Sequence, residues 1–121
     1  MIILNHKLSI FMMKKDNNGN DLGEINSQAE KQLVKVFGGL TITNAKGFWI
    51  DDDRLYVDES YIFTCNYNRK LNNNQINAVI KVIKDELTKG KQQAVLVMLD
   101  NTLCILDGND LDEFKHKIST R

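Results

Sequence analysis

The chain has 121 residues, with 16 Lys and Arg against 16 Asp and Glu, and 42% of its residues are hydrophobic. This length fits one domain with a single core, and the composition excludes a disordered chain. The formal net charge of zero argues against binding of long nucleic acid, which usually requires a net basic field. We therefore predict one domain over residues 1–121 without a long nucleic-acid partner.

The N-terminal apolar stretch ends before Lys14-Lys15-Asp16, well short of the roughly 20 residues that a membrane-spanning helix needs. It also lacks the basic start and the cleavage site of a signal peptide. Cys65 and Cys104 lie in apolar runs with no CxxC or Cys/His metal spacing, which is typical of free thiols in a reducing compartment. These features predict a cytoplasmic protein without a membrane partner, a metal or a cofactor.

The apolar pattern predicts four elements in the first half of the chain. Residues 2–13 alternate as a strand does, and the Asn- and Gly-rich residues 16–20 form a loop. A helix capped by Asn26-Ser27 follows and is stopped by Gly38-Gly39. Residues 40–50 then form a strand with a kink or bulge near Gly47.

The second half begins with a tight acidic turn, Asp51-Asp52-Asp53, and a strand over residues 54–67 whose odd positions share one buried face. A helix capped by Asn72-Asn73-Asn74 carries an apolar stripe. Two short strands, residues 94–99 and 102–106, form a hairpin, and a final helix covers residues 110–118.

The resulting order is β-α-β-β-α-β-β-α. It predicts an α+β fold, with an antiparallel sheet and two main helices packed on one face of it. This architecture is close to a ferredoxin-like, split βαβ arrangement.

No residue pattern indicates catalysis. His6 lies in a strand and His116 in a lysine-rich terminal helix, neither beside a recognisable nucleophile. Gly38-Gly39 follows a helix and lacks the spacing of a phosphate-binding loop. Consecutive carboxylates at 51–53 lack the alternating spacing of a calcium loop. We therefore expect a binding protein and no enzyme.

Glu59 interrupts the apolar face of the third strand, between Val57 and Tyr61. A carboxylate buried there without a partner would be costly. A bulge could turn it outward, Arg54 or a nearby lysine could pair with it, or it could accept hydrogen bonds from a ligand.

Aromatic, basic and small polar side chains gather in the second strand and the following turn. Because Phe48 and Trp49 are adjacent, one should pack in the core while the other faces solvent, a partner or a ligand. An aromatic ring beside cations, hydroxyls and amides suits a purine phosphate; a plain core or subunit interface is the alternative. The candidate ligand-binding residues are Thr43, Asn44, Lys46, Phe48, Trp49, Arg54, Glu59, Arg69 and Gln93.

The run Phe37-Gly38-Gly39-Leu40-Thr41, then Gly47-Phe48-Trp49, Glu59-Ser60 and Gln93-Ala94-Val95-Leu96, resembles a family of small bacterial proteins of unknown function. It also resembles the bacteriophage Thoeris anti-defence sponges of the first class. That second resemblance implies a phage-encoded protein that binds and sequesters glycocyclic ADP-ribose, or a cyclic oligonucleotide, without cleaving it. It also implies a homodimer or higher oligomer with nucleotide pockets at subunit interfaces, acting in the host cytoplasm.

Two other readings remain open. The chain could be a small enzyme or accessory protein in which Glu59 is the acid/base group, or a structural module whose aromatic pair builds a dimer.

Overall fold

The computed structural model describes residues 1–121 as an antiparallel sheet with its helices on one face. Three helices and five strands follow in the order β1 His6–Met13, α1 Gly23–Phe37, β2 Thr41–Asp51, β3 Arg54–Tyr67, α2 Asn73–Thr88, β4 Val95–Leu99, β5 Thr102–Leu106 and α3 Leu111–Ser119, with a 3-10 turn at Gly108–Asp110 before α3. This confirms the predicted α+β class and element order.

The sheet has the strand order β2-β3-β1-β4-β5, and every neighbouring pair is antiparallel. The first four strands have the split βαβ arrangement, because α1 connects β1 to β2 with β3 between these two strands in the sheet, and α2 connects β3 to β4 with β1 between them. The added hairpin strand β5 forms the edge opposite β2. No helix is long and apolar enough to cross a membrane.

The core lies between the sheet and the helices. Leu8, Ile10 and Met12 of β1 alternate toward the helices and are fully buried, as the period of two requires. From β3 and the helices the core takes a larger apolar set, which includes Phe63, Cys65, Tyr67, Ala29, Leu33, Ile76, Val79, Val82, Ile83, Phe114 and Ile118. The opposite sheet face carries no helix.

Two predicted details of the first half are wrong. Helix α1 begins at Gly23, so Asn26 is not its cap; Asn26 is buried inside the helix, where its Nδ2 donates to the Met13 carbonyl oxygen. Gly47 makes no bulge, because the residues of β2 pair one-to-one with β3 along the whole length of β2. The tight turn is confirmed: Asp52 and Asp53 have φ of 50° and 61°, as a two-residue type I′ hairpin requires.

The hairpin of β2 and β3 extends past the helix layer. Helix α1 starts beside Met13, and Met13 pairs with Ser60 on β3, so the hairpin beyond that level has no helix over it. We call residues 47–58 the arm. On the helix side of the arm, Phe48, Ile50, Leu55 and Val57 are 65, 71, 61 and 49% exposed.

Candidate functional site

A shallow depression lies where the helix layer ends and the arm begins. Lys46 on β2 is in register with Glu59 on β3, and the next pair on the same face is Asn44 and Tyr61. The depression measures about 220 Å³. We call it the Lys14–Glu59 site, and it is lined by Lys14, Asn44, Ala45, Lys46 and Glu59.

Lys14 is placed by both its backbone and its side chain. It follows the last residue of β1, and its N–H donates to the Glu59 carbonyl oxygen at 3.2 Å. Its Nζ donates to Asn44 Oδ1 at 2.9 Å and lies 4.7 Å from the centroid of the Tyr61 ring. The hydrogen bond and the cation–π contact together hold this ammonium group at the site.

The Glu59 carboxylate is exposed and makes no hydrogen bond or ion pair of its own. Neither Arg54 nor a lysine reaches it within ion-pair distance, so the structural ion pair is wrong. Nor does a bulge turn it away, since Lys46 lies directly across from it. The site therefore holds a free carboxylate between two lysines, able to accept a proton or a hydrogen bond.

Phe48 and Trp49 contradict the prediction that one of them packs in the core. Both are exposed, at 65 and 47%, because both lie on the arm. Phe48 is on the helix-side face, next to Lys46. Trp49 is on the other face, where it stacks on Tyr56 with ring centroids 4.4 Å apart and donates from Nε1 to Asp58 Oδ2 at 2.7 Å.

The structure separates several other candidates from the site. Arg54 lies at the tip of the arm, 5.6 Å from the centroid of the Tyr56 ring. Thr43 points to the face opposite that of Asn44. Arg69 follows the far end of β3, and Gln93 is exposed just before β4. The sequence-predicted residues that the structure brings together are thus Asn44, Lys46 and Glu59, with Phe48 adjacent.

Sequence reasoning missed Lys14. The one signal that could have indicated it is its position directly after the apolar run that forms the central strand β1. The pattern alone does not show that the end of this strand faces Asn44 and Glu59, because that depends on the pairing of β1 with β3.

A second polar cluster lies at the opposite end of the sheet. Asp100 accepts hydrogen bonds from the Lys7 N–H at 2.9 Å and from Arg121 Nη2 at 2.9 Å, and His6 Nδ1 lies 3.3 Å from it. The Lys7 N–H, followed by His6 and Arg121, lowers the pKa of Asp100. These contacts anchor the C-terminal residue and the start of β1, and no group of side chains in the chain has a metal-binding arrangement.

The fold is shared with solved structures of a phage enzyme. A phage S-adenosylmethionine (SAM) lyase in complex with S-methyl-5′-thioadenosine superposes with a TM-score of 0.61 at 13% identity, covering 90% of this chain and 96% of that one. A phage SAM lyase in its apo state gives 0.58 at 13% identity, covering 89 and 95%. No family model and no curated protein matches the sequence.

These structures contradict the expectation that the chain is no enzyme, because the fold it adopts is that of a lyase. That expectation rested on the lack of a nucleophile with an adjacent base in the sequence, and not every enzymatic reaction needs such a pair. The phage setting and a small nucleotide-like ligand, both part of the hypothesis, fit these neighbours; the specific relation to Thoeris sponges stays a hypothesis.

Proposed function

We propose that this chain binds S-adenosylmethionine at the Lys14–Glu59 site and breaks its carbon–sulfur bond, with Glu59 as the proton acceptor. The observation that carries the proposal is the Glu59 carboxylate, free of any protein partner between Lys14 and Lys46. The shared fold with a SAM lyase supports the substrate class.

The charges of the site suit the charges of that substrate. SAM carries a carboxylate, an ammonium group and a sulfonium on its amino-acid part. Lys14 and Lys46 can bind the carboxylate, and the amide of Asn44 offers both a donor and an acceptor. Phe48, the next residue on the same face of β2, offers a ring for the adenine.

The reaction that fits is an elimination. S-methyl-5′-thioadenosine keeps the methyl group, the sulfur and the adenosine of SAM, so the bond that breaks joins sulfur to the amino-acid side chain. Glu59 takes a proton from the side-chain carbon next to the one that is bonded to sulfur. The electron pair of that C–H bond forms a carbon–carbon double bond, and the electron pair of the C–S bond leaves with the sulfur. A purely ion-pairing Glu59 would stabilise the cationic sulfonium of the substrate more than the transition state, in which that charge is disappearing.

A second copy of the chain completes the site in this proposal. The depression of about 220 Å³ is smaller than the roughly 300–1,000 Å³ of sites that enclose a small molecule. Directly beside it the arm exposes Phe48, Ile50, Leu55 and Val57, a cluster of apolar side chains of the kind that marks an interface. Assembly through the arm would bury this cluster and add walls to the site.

A cyclic nucleotide signal is the second candidate ligand. Two lysine ammonium groups on one depression also suit the two phosphates of glycocyclic ADP-ribose, which the anti-defence hypothesis requires. Either ligand is consistent with a phage protein acting in the host cytoplasm.

The test is turnover with a matched pair of variants. Purified protein is incubated with SAM, and S-methyl-5′-thioadenosine is quantified by liquid chromatography and mass spectrometry. We expect product from the wild type, and a loss of about 10²–10⁴-fold in Glu59→Gln, the usual effect of removing a general base. Glu24→Gln, an exposed carboxylate in the first turn of α1, should retain full activity. No product from the wild type, with glycocyclic ADP-ribose retained unchanged, would overturn the proposal in favour of the second ligand.

A further inference from the structure

A buried polar cluster joins the end of β1 to both main helices, next to the Lys14–Glu59 site. Glu86 of α2 is 0% exposed and Asn26 of α1 is 3% exposed. The Met13 N–H donates to Glu86 Oε1 at 3.2 Å, and Asn26 Nδ2 donates to the Met13 carbonyl oxygen at 3.0 Å. The two side chains thus bind the two backbone groups of one residue.

Two acceptors of this cluster have no partner. Glu86 Oε2 and Asn26 Oδ1 are both buried without a hydrogen bond, and a buried acceptor without a donor destabilises the folded state. A proton on Oε2 converts that oxygen into a donor, and so one proton can satisfy both atoms. The remaining unpaired acceptor, Gln32 Oε1, lies six residues and roughly 9 Å further along α1.

No charged side chain faces Glu86. From β1 it meets the Met13 N–H, and from α1 the neutral Asn26 amide. At the C-terminal end of α2, the Gln92 N–H donates to the backbone carbonyl oxygen of Glu86. Burial raises the pKa of Glu86 to about 7, against a lowering by the Met13 N–H, and no other group contributes.

We infer that the protonated form of Glu86 donates its carboxyl proton to Asn26 Oδ1, so that the two side chains together hold Met13 in place and Glu86 is a positioning residue for Lys14. Lys14 follows Met13 directly, and its own N–H and carbonyl bind the Glu59 carbonyl and the Leu22 N–H. A shift of Met13 therefore moves the ammonium group that the Lys14–Glu59 site contributes. The role of Lys14 in binding rests on the proposed function, whereas the shared proton does not.

Glu86→Gln tests this inference, because glutamine reproduces the protonated side chain at every pH. Its Nε2 can donate to Asn26 Oδ1 while its Oε1 accepts from the Met13 N–H. The first readout uses no ligand: the infrared C=O stretch of a protonated carboxyl group at pH 6 should be present in the wild type and weaker in the variant. An identical band in both proteins, or none in the wild type, would overturn the shared proton.

The second readout is the difference in melting temperature between wild type and Glu86→Gln as a function of pH. The pKa of Glu86 is raised on folding, so its contribution to stability is complete below the ordinary value of 4.5 and declines until pH passes about 7. The wild type should therefore lose stability relative to Glu86→Gln across this interval and run parallel to it above. Curves parallel throughout contradict the inference. Glu86→Leu, which lacks both hydrogen bonds, should be less stable than Glu86→Gln at every pH.

The third readout follows the effect on Lys14, with S-adenosylhomocysteine as the probe, because this molecule keeps the amino-acid carboxylate that Lys14 would bind. Its dissociation constant should rise above pH 7 in the wild type relative to Glu86→Gln. Equal dependence in both proteins would remove the positioning role. Absence of binding in both at every pH would instead remove the proposed function, while the infrared band and the melting curves still decide the shared proton.

Discussion

The two halves of β3 have apolar side chains at the same alternate positions, but these side chains are buried in one half and exposed in the other. In the half near α1 and α2, Phe63, Cys65 and Tyr67 are between 0 and 7% exposed; in the arm, Leu55 and Val57 are 61 and 49% exposed. The difference is coverage, because the helix layer ends at the level of Ser60. Alternation shows which side chains share a face, and only the position of other elements shows whether that face is covered.

The largest effect should come from Phe63→Ala in the covered half. Phe63 is fully buried in the core, and truncating such a ring costs about 3–5 kcal/mol in the free energy of unfolding. Val57→Ala in the arm should cost less than about 0.5 kcal/mol in a monomer, as an exposed position does. Urea unfolding at low protein concentration measures both, and equal losses would contradict the contrast.

The arm can be tested directly by its effect on assembly. Phe48→Asp places a charge on the apolar arm face, so the wild type should have an oligomeric mass in light scattering and the variant a smaller one. Ile105→Asp is the matched control, since Ile105 is equally exposed, at 65%, but lies on the distant strand β5. A monomeric wild type, or a loss of mass only in the control, would refute assembly through the arm.

Acid should weaken the end of the sheet opposite the arm. The pKa of Asp100 is lowered by the Lys7 N–H, His6 and Arg121, so its contribution to stability is present above the ordinary value of 3.8 and is lost as pH falls through the folded value. The melting temperature of the wild type should therefore fall more steeply toward pH 3 than that of Asp100→Asn, and SAM turnover at neutral pH should be unchanged by this substitution.

The smallest effect concerns the two thiols, whose reactivity depends on how deeply each is buried in the sheet. Burial raises the pKa of Cys65 to about 12, so this thiol should not react in the native state. Cys104 is only half-buried and should be the thiol that reacts with Ellman's reagent. Labelling of the native protein should stop at one group per chain and disappear in Cys104→Ser; rapid labelling of Cys65 would indicate that the core half of β3 opens.

Local sequence patterns predicted much of the fold. The strand over residues 54–67, the acidic turn and the Asn72 cap of α2 all depend on neighbours in the chain, and the structure confirms them. Asn26 was misassigned as a cap because its partner, the Met13 carbonyl, lies on another element. The arm was missed for the same reason, since the extent of the helix layer is a long-range property.

The residues of the site likewise separate into those placed by local pairing and one placed by long-range pairing. Asn44, Lys46 and Glu59 were predicted and do lie together, because β2 and β3 are joined by a short turn that sets their register. Lys14 comes from β1, and its place depends on pairing across the sheet. Trp49 was placed on the right strand, but its neighbour on the same arm, Phe48, is the one beside the site.

The central claim is that the Lys14–Glu59 site acts on S-adenosylmethionine through Glu59, and single-turnover assays test it most directly. Excess protein is mixed with SAM, and the release of S-methyl-5′-thioadenosine is followed over time beside equilibrium binding of that product. The account predicts turnover by the wild type, and a Glu59→Gln variant that still binds the product but releases it from SAM at least about 10²-fold more slowly. Equal rates in the two proteins would contradict it.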